Sequence, residues 1–209
     1  MKNPQIIKIL KKKYSAKEFS THHSTPYQVL IACILSLRTK DEVTYPAAKR
    51  LFILAKTPQN MIKLNESKIQ KTIYPVGFYK RKSKTIKDIS KKIIKDYKSN
   101  VPNTVEELVK LKGVGRKTAN IVVTYGHGKP GIAVDTHVHR ISNRLGIVKT
   151  KTPEQTEFKL RKILPRKYWI DFNELLVRHG QNTCKPISPF CSICEIRKYC
   201  KRVNVTTSR

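Results

Sequence analysis

The spacing of apolar and polar residues along the chain predicts helices throughout. Residues 27–37 follow Pro26 and are nearly all apolar, which is typical of a helix buried on every side. Residues 83–97 place isoleucines at helical intervals among lysines, which indicates a helix with one solvated face. Residues 47–55 repeat small and apolar side chains. No segment shows the alternation of a half-buried strand and no internal repeat is evident, so the pattern predicts an all-α protein.

Capping residues define further helices in the second half of the chain. Thr104 and Glu107 have the spacing of a capping box, in which each side chain bonds a backbone amide of the first turn. Asp135 is a good N-cap, and Gly146 ends the helix that it begins. The other predicted helices cover 115–125, 152–164 and about 167–179.

Charge changes this picture from a generic helical protein to a candidate binder of polyanions. The 209 residues (24.1 kDa) carry 44 Lys+Arg against 14 Asp+Glu, a net charge of +30. Nucleic acid is the first candidate partner. Lysines account for 32 of the basic residues and are spread along the whole chain, so genome composition or heat adaptation offers a competing explanation. An anionic membrane is less favoured, since no membrane-seeking helix face adjoins the lysines.

Length and hydropathy limit the classes of protein to which the chain can belong. The chain is long enough for one large domain or two small ones, and it contains no apolar run of about 18 residues that would cross a membrane. The N-terminal sequence MKNPQIIKILKKK has only a short apolar stretch and no small-residue cleavage site. We therefore expect a cytoplasmic, nucleoid-associated protein that is not secreted.

Four of the five cysteines lie near the C-terminus with the spacing C-x6-C-x2-C-x5-C. They are Cys184, Cys191, Cys194 and Cys200. Short loops bring such thiolates together on one metal centre, and a disulfide is disfavoured in a reducing compartment. The spacing leaves zinc and an iron–sulfur cluster open, because only one C-x2-C pair is present. Cys33 lies in the apolar run and is interpreted as a small buried hydrophobe.

A glycine turn joins two of the predicted helices. Gly113 and Gly115 flank Val114, and the second helix then begins with exposed amides and the positive end of its dipole. Such a start is a ready phosphate site, although an ordinary turn between helices is the simpler alternative. The high positive charge of the chain favours the phosphate site.

Two residues near this turn are candidates for chemistry. Lys117 lies just inside the second helix, where the helix dipole and an expected partial burial would lower its pKa and make its amine a nucleophile. An ordinary solvated lysine is the alternative. Asp135 is one of few acids, and besides capping its helix it can relay a proton or stabilise positive charge.

These residues together resemble the endonuclease III family, DNA glycosylases with associated lyase activity. The matching stretches are LKGVGRKTAN at 111–120, VDTHVHRISNRLG at 134–146 and the cysteine tail at 184–200, and STPYQVLIACILSLRTKD at 24–41 resembles the first barrel helix and the loop after it. The likeness covers essentially the whole chain. Each motif alone is moderately specific, but the three in this order, with 18 positions from Lys117 to Asp135, are highly specific.

The resemblance implies an all-helical fold in two parts, the helix-hairpin-helix DNA glycosylase fold, with a DNA cleft between the parts. One part is a six-helix barrel over 20–130 that carries the helix-hairpin-helix at about 104–125. The other is a helical part that combines 1–19 with 131–209 and holds a [4Fe-4S] cluster on the four cysteines at 184–200. That cluster is expected to be structural and to shape a basic loop around 185–193 that contacts DNA phosphate.

The resemblance also implies an activity and its residues. A base excision repair enzyme is expected, a bifunctional glycosylase and abasic-site lyase that removes damaged pyrimidines from duplex DNA. Lys117 is then the nucleophile that forms a Schiff base, Asp135 is the essential carboxylate, and β-elimination cleaves the strand 3′ to the abasic site. No membrane and no nucleotide cofactor are expected, and the protein is expected to be a monomer. The expected DNA-binding residues are Arg38, Phe78, Gly113, Val114, Gly115, Arg116, His137 and Lys185.

Two of the expected DNA-binding positions depart from the family pattern. Arg38 stands where bacterial members usually have Gln, and it is expected to fill the space of the flipped base or to touch the partner base. This leaves the preference for the opposite base open. Phe78 replaces a Leu that usually intercalates, and it is interpreted either as a wedge between base pairs or as ordinary core packing.

Three other functions compete with this assignment. A monofunctional glycosylase of the same fold would remove thymine or uracil opposite guanine, but related mismatch enzymes lack a lysine at the position of Lys117. A non-catalytic helix-hairpin-helix DNA-binding protein would not need Lys117 and Asp135 at this spacing. A metal-sensing regulator would use the cysteines, but no recognition-helix dimer pattern supports it.

Overall fold

The computed structural model describes residues 3–14 and 25–209, and these residues form helices joined by short turns. The α-helices are α1 Asn3–Lys13, α2 Pro26–Ser36, α3 Asp41–Leu54, α4 Pro58–Lys63, α5 Glu66–Ile73, α6 Tyr79–Tyr97, α7 Val105–Leu108, α8 Arg116–Ile121, α9 Thr136–Arg144, α10 Pro153–Ile163 and α11 Trp169–Asn182. A π-helical turn, Val122–Gly126, extends α8. The described part of the chain contains no strand, which confirms the all-α prediction. None of its helices is both long and apolar enough to cross a membrane.

The chain divides into two compact units, each with its own hydrophobic core. One unit is Met1–Ser20 with Pro130–Arg209, and the other is Thr21–Lys129. The sequence-predicted boundary between residues 19 and 20 lies within 15–24, outside the described residues. Lys117 belongs to the second of these units and Asp135 to the first.

In the Thr21–Lys129 unit, α2 is the central helix. Its start is fixed by Thr25, whose hydroxyl accepts the Gln28 amide at 3.2 Å, and by Pro26 at the first helical position. Side chains around the helix are buried, among them Leu30 and Ile34, and α3, α6 and α8 pack against it. The nearly continuous apolar run in the sequence therefore has neighbours on most sides, as predicted.

The same unit contains helices that apolar spacing did not predict. The short helices α4 and α5 begin at the caps Thr57 and Asn65, whose side-chain oxygens accept amides of their own first turns. Helix α3 begins at Asp41, six residues before the predicted segment, and Pro46 lies inside it. Capping residues were the available signal for α4 and α5, because helices this short carry too few residues to show a period.

The unit formed by Met1–Ser20 and Pro130–Arg209 packs α1 against α11 and α9 against both α10 and α11. Its core includes Ile6, Leu10, Val138, Phe172 and Leu176. Helix α9 carries Asp135 at its start, and α11 leads directly into the segment that holds the cysteines. These two helices therefore position the candidate residues of this unit.

Candidate functional site

The turn between α7 and α8 has the geometry of a helical hairpin. Helix α7 is a single turn capped by Thr104, whose hydroxyl accepts the Glu107 amide at 3.3 Å. The chain then reverses at Gly113, which has φ +81°, and the Val114 amide bonds the Leu111 carbonyl at 3.0 Å. Buried Val114 anchors the turn to the core. The conformation at Gly113 is one that glycine adopts without strain.

Neither the backbone conformation of Gly115 nor the space around it requires a glycine. Its φ of −89° is accessible to any residue, and an added Cβ would meet no atom within 4 Å. The fold of this unit therefore does not require glycine here. The residue is the N-cap of α8, and as a glycine it makes no side-chain hydrogen bond to the first turn of the helix.

Lys117 is the second residue of α8, as predicted, but it is not buried. Its side chain is exposed, so the expectation of partial burial is wrong. One close neighbour is the partly buried Cys33 on α2. Burial raises the pKa of the Cys33 thiol to about 12, and the nearby Lys117 ammonium opposes that rise. The lysine side chain therefore lies in the first turn of α8 and is exposed.

Asp135 is the N-cap of α9, which confirms its predicted structural role. Its Oδ1 accepts the Val138 amide at 2.9 Å, and the residue is half-buried. The carboxylate is thus held in one orientation by the helix that it begins. A carboxylate at a helix N-terminus is also stabilised by the helix dipole.

Two further predicted DNA-binding residues lie in the same unit as Asp135. His137 packs directly on the backbone of Gly180 in α11, where an added Cβ would overlap the imidazole ring. The Nη2 of Arg140 lies 3.1 Å from its Nδ1 and also donates to the Cys184 carbonyl at 2.7 Å. Lys185 is half-buried, and its ammonium donates to the Gln181 carbonyl.

Arg38 and Phe78 form a pair of exposed residues on two turns of the other unit. Phe78 is 59% exposed, so the alternative of core packing is wrong. The Arg38 guanidinium carbon lies 5.9 Å from the centre of the Phe78 ring, a cation–π contact. Both residues are in the left-handed region, with φ of 52° and 58°. The Arg38 to Phe78 pair therefore presents a cation and an aromatic ring together at the surface.

The four C-terminal cysteines line one cavity with an empty volume of about 430 Å³, which includes space open to solvent. All four are free thiols, and apolar side chains such as Ile141, Leu145 and Phe190 line the rest of the cavity. Within 3–14 and 25–209, however, no three His, Cys, Asp or Glu side chains are arranged closely enough to hold a metal ion. The sulfur atoms thus share a cavity without adopting ligand geometry.

The surroundings of these thiols fit an all-sulfur metal centre. The Cys184 sulfur accepts Arg144 Nη1 at 3.4 Å, and the Cys200 sulfur accepts the Arg202 amide at 3.3 Å. Hydrogen bonds of this kind stabilise thiolate ligands of iron–sulfur clusters. Burial raises the pKa of the Cys194 thiol to about 11, so a metal must displace protons when it binds. The donor set suits zinc as well as an iron–sulfur cluster.

Two buried basic residues that hold segments of the candidate site were missed by sequence reasoning. Arg144 is buried, and its guanidinium donates to the carbonyls of Lys185 and Pro186 at 2.6 Å each, which ties the cysteine loop to α9. Lys82 is also buried and bonds the turn that carries Arg38. In the sequence each is one basic residue among many, and its partners are about 40 positions or more away.

Comparisons with known proteins agree with this arrangement. The HhH-GPD superfamily base excision DNA repair proteins match residues 31–166. Endonuclease III of Thermotoga maritima is 46% identical over 187 residues, which cover 88% of each chain. A structure of a trapped endonuclease III–DNA covalent intermediate is similar with a TM-score of 0.85 at 33% identity, over 97% of both chains. A thermostable thymine-DNA glycosylase has a TM-score of 0.83 over 96% of each chain, but at 24% identity this likeness concerns the fold alone.

Proposed function

This chain belongs to the endonuclease III family of the HhH-GPD superfamily, and we propose that Lys117 and Asp135 carry its chemistry. It is a base excision repair enzyme, a DNA glycosylase and abasic-site lyase, and its partner is damaged duplex DNA. The observation that carries the bifunctional assignment is the exposed amine of Lys117, set directly after the hairpin turn at the start of α8. We propose a monomer that acts in the cytoplasm at the nucleoid.

Lys117 is the nucleophile in this proposal. The damaged base first leaves the helical stack, at a cost that weak pairing lowers. The neutral amine then attacks C1′ of the sugar while the N-glycosidic bond breaks and its electron pair leaves with the base. The C1′–O4′ bond of the resulting aminal then breaks as the nitrogen lone pair forms the C=N bond, and O4′ takes up a proton, which leaves a 4′ hydroxyl and an iminium ion between the lysine nitrogen and C1′. That ion acidifies the C2′ proton, and its removal expels the 3′ phosphate and cleaves the strand.

Asp135 is the carboxylate of this reaction. An amine attack generates positive charge on the nitrogen and on the sugar as the base departs, and a fixed carboxylate stabilises that charge. It can also accept the proton that the lysine loses. The bond from the Val138 amide fixes the orientation of Asp135 before substrate arrives, so little reorganisation is needed during the reaction.

DNA binding is proposed to use the hairpin turn and the exposed pair. The amides around Gly113, Val114 and Gly115, with Arg116, face a phosphate of the strand, a contact that holds the backbone without reading sequence. Arg38 and Phe78 occupy the space that the extruded nucleotide leaves. His137 and Lys185 contribute further phosphate contacts. The net charge of +30 adds a salt-sensitive attraction that does not depend on sequence.

Substitution of Gly113 by alanine tests the hairpin. An alanine held at φ +81° is strained, so we expect the free energy of unfolding to fall by about 1–2 kcal/mol. The affinity for duplex DNA falls as well, because relief of the strain moves the amides that face the phosphate. Gly128→Ala is the matched control, since its φ is +65° and its Cβ meets no atom within 4 Å. An equal loss of affinity in both variants would mean that the effect is general destabilisation.

The four cysteines are proposed to hold a [4Fe-4S] cluster. Cys184, Cys191, Cys194 and Cys200 are the ligands, and the cluster, when bound, supplies structural cross-linking of the loop 185–193 rather than base chemistry. The proposal is supported by the all-sulfur donor set, the hydrogen bonds to sulfur and the family resemblance. Arg144 holds the start of that loop through the carbonyls of Lys185 and Pro186.

Replacement of one ligand tests the metal assignment. Cys194→Ser, produced anaerobically, is expected to lose the visible charge-transfer absorbance and most of its iron, because a cluster of this type needs four protein ligands. Cys33→Ala is the control, since Cys33 lies in the other unit and should leave the iron content unchanged. Metal analysis that finds zinc and no iron in the parent protein would contradict the proposal.

One experiment separates the bifunctional enzyme from the mismatch glycosylase of the same fold. The protein is incubated with duplex DNA that carries thymine glycol, with an abasic duplex and with a G:T mismatch, each with and without borohydride. On the thymine glycol duplex we expect base removal, strand cleavage and, with borohydride, a covalent adduct. On the abasic duplex we expect strand cleavage and, with borohydride, the same adduct. Clean removal of thymine from the mismatch without an adduct or a nick would instead support the monofunctional alternative.

A further inference from the structure

Lys82 is a buried ammonium whose three donors all point at one short segment of chain. The residue lies on α6 and is 6% exposed. Its Nζ donates to the Leu35 carbonyl at 2.7 Å, to the Leu37 carbonyl at 2.6 Å and to the Thr39 hydroxyl at 3.1 Å. These acceptors belong to the end of α2 and the turn that follows it. The ammonium thus satisfies carbonyls that a helix end leaves without partners.

The same turn is joined to a second turn through Thr39. The Thr39 hydroxyl, which accepts from Lys82, also accepts the Gly77 amide at 3.1 Å. The two turns are in close contact, because a Cβ on Gly77 would lie 2.9 Å from the Arg38 carbonyl oxygen. Lys82 therefore holds the first turn directly and the second through one hydroxyl.

Each turn carries one member of the exposed pair. Arg38 lies between two acceptors of Lys82, and Phe78 directly follows Gly77. Both have left-handed backbones, a conformation that is strained for side chains other than glycine. Such residues persist where the surrounding structure fixes them, and they concentrate at functional sites. The hydrogen bonds of Lys82 are contacts of the kind that hold such a conformation.

We infer that Lys82 is a positioning residue for base extrusion, because it holds the Arg38 turn and the Phe78 turn together so that both side chains enter the DNA as one unit. This rests on the proposed roles of Arg38 and Phe78. Lys82 is buried, so it acts through these two residues and not by its own contact with DNA. Burial disfavours the charged form of Lys82 and lowers its pKa to about 8. The position nevertheless holds a lysine. An apolar side chain would serve the core without that penalty.

The inference predicts a loss that depends on the substrate. Extrusion of a base from a duplex requires the wedge side chains to be in place, whereas a single-stranded abasic site needs no extrusion. Lys82→Met keeps the length of the side chain and removes the charge. We expect it to slow single-turnover excision from a thymine glycol duplex about tenfold or more, the factor expected when a charge-assisted hydrogen bond is lost. Borohydride trapping on single-stranded abasic DNA should stay within about twofold of the parent.

Lys87→Met is the matched control, since Lys87 lies on the same helix and donates to the Leu64 carbonyl at the end of α4, away from both turns. The rates of Lys87→Met on both substrates should equal those of the parent protein. A second readout is the fluorescence of 2-aminopurine placed opposite the lesion, which should rise on binding of the parent and Lys87→Met but not of Lys82→Met. Equal excision by the two variants, or an equal loss on both substrates, would overturn the inference.

Thr39→Val tests the inference if Lys82→Met does not fold. This variant keeps the lysine and its two carbonyl partners and removes the hydroxyl through which Lys82 reaches the Gly77 amide. The same selective loss on duplex substrate supports the inference, and a parent-like ratio of the two activities overturns it. Failure of the proposed function is distinct, because the parent protein itself would then form no adduct with either substrate.

Discussion

Lys117→Ala should abolish the borohydride-trapped adduct and slow strand cleavage at an abasic site about a thousandfold or more. No other group then forms the Schiff base, and loss of a catalytic nucleophile typically has effects of this size or larger. Stability should not fall. The side chain is exposed and belongs to the first turn of α8, near the positive end of the helix dipole, so its removal is expected to be neutral or to stabilise by about 0.3–1 kcal/mol. Adduct formation by gel and the thermal unfolding midpoint measure the two effects.

Lys112→Ala is the control for this prediction. Lys112 is exposed and lies on the same hairpin, so its loss removes one positive charge near the DNA but no nucleophile. It should weaken DNA binding slightly and leave adduct formation intact. If Lys117→Ala still formed the adduct at the parent rate, a different amine would be the nucleophile, and peptide mapping of the trapped species would identify it.

Asp135→Asn should slow base excision about a hundredfold to a thousandfold while leaving the fold unchanged. Asparagine caps a helix as well as aspartate does, so the bond to the Val138 amide is kept. The lost negative charge no longer stabilises the positive charge that develops in the reaction, and removal of one preorganised electrostatic group typically has effects of this size. Single-turnover excision and thermal unfolding separate the two roles of the residue.

Two companion variants make this result specific. Asp135→Ala loses both roles, so it should be as slow as Asp135→Asn and also less stable by about 1 kcal/mol. Asp171→Asn changes the net charge equally, but Asp171 pairs with Lys11 at 2.6 Å in the first turn of α11, and the variant should retain parent activity. Near-parent excision by Asp135→Asn would show that the residue is only a helix cap.

Short stretches of the sequence determine much of the local structure. Caps such as Thr25, Thr104 and Asp135 begin helices at or next to the predicted residues, because an N-cap bonds amides only two or three positions ahead. The hairpin turn around Gly113 is equally local. Family membership also followed from motifs along the chain, and the comparisons confirmed it. Roles of single residues in the reaction stay predictions.

Tertiary structure decided what the local pattern does not contain. Lys117 was expected to be partly buried and is exposed, while Lys82, one lysine among 32, is buried against carbonyls 45 and 47 positions earlier. Phe78 is an apolar residue that lies at the surface. Helix periods and caps depend on neighbours within a few positions, so sequence alone determined most of the longer helices and the motif, but not α4 and α5. Burial and the pairing of turns depend on segments brought together by packing, so only the folded chain reveals which lysine is buried against carbonyls and which is exposed.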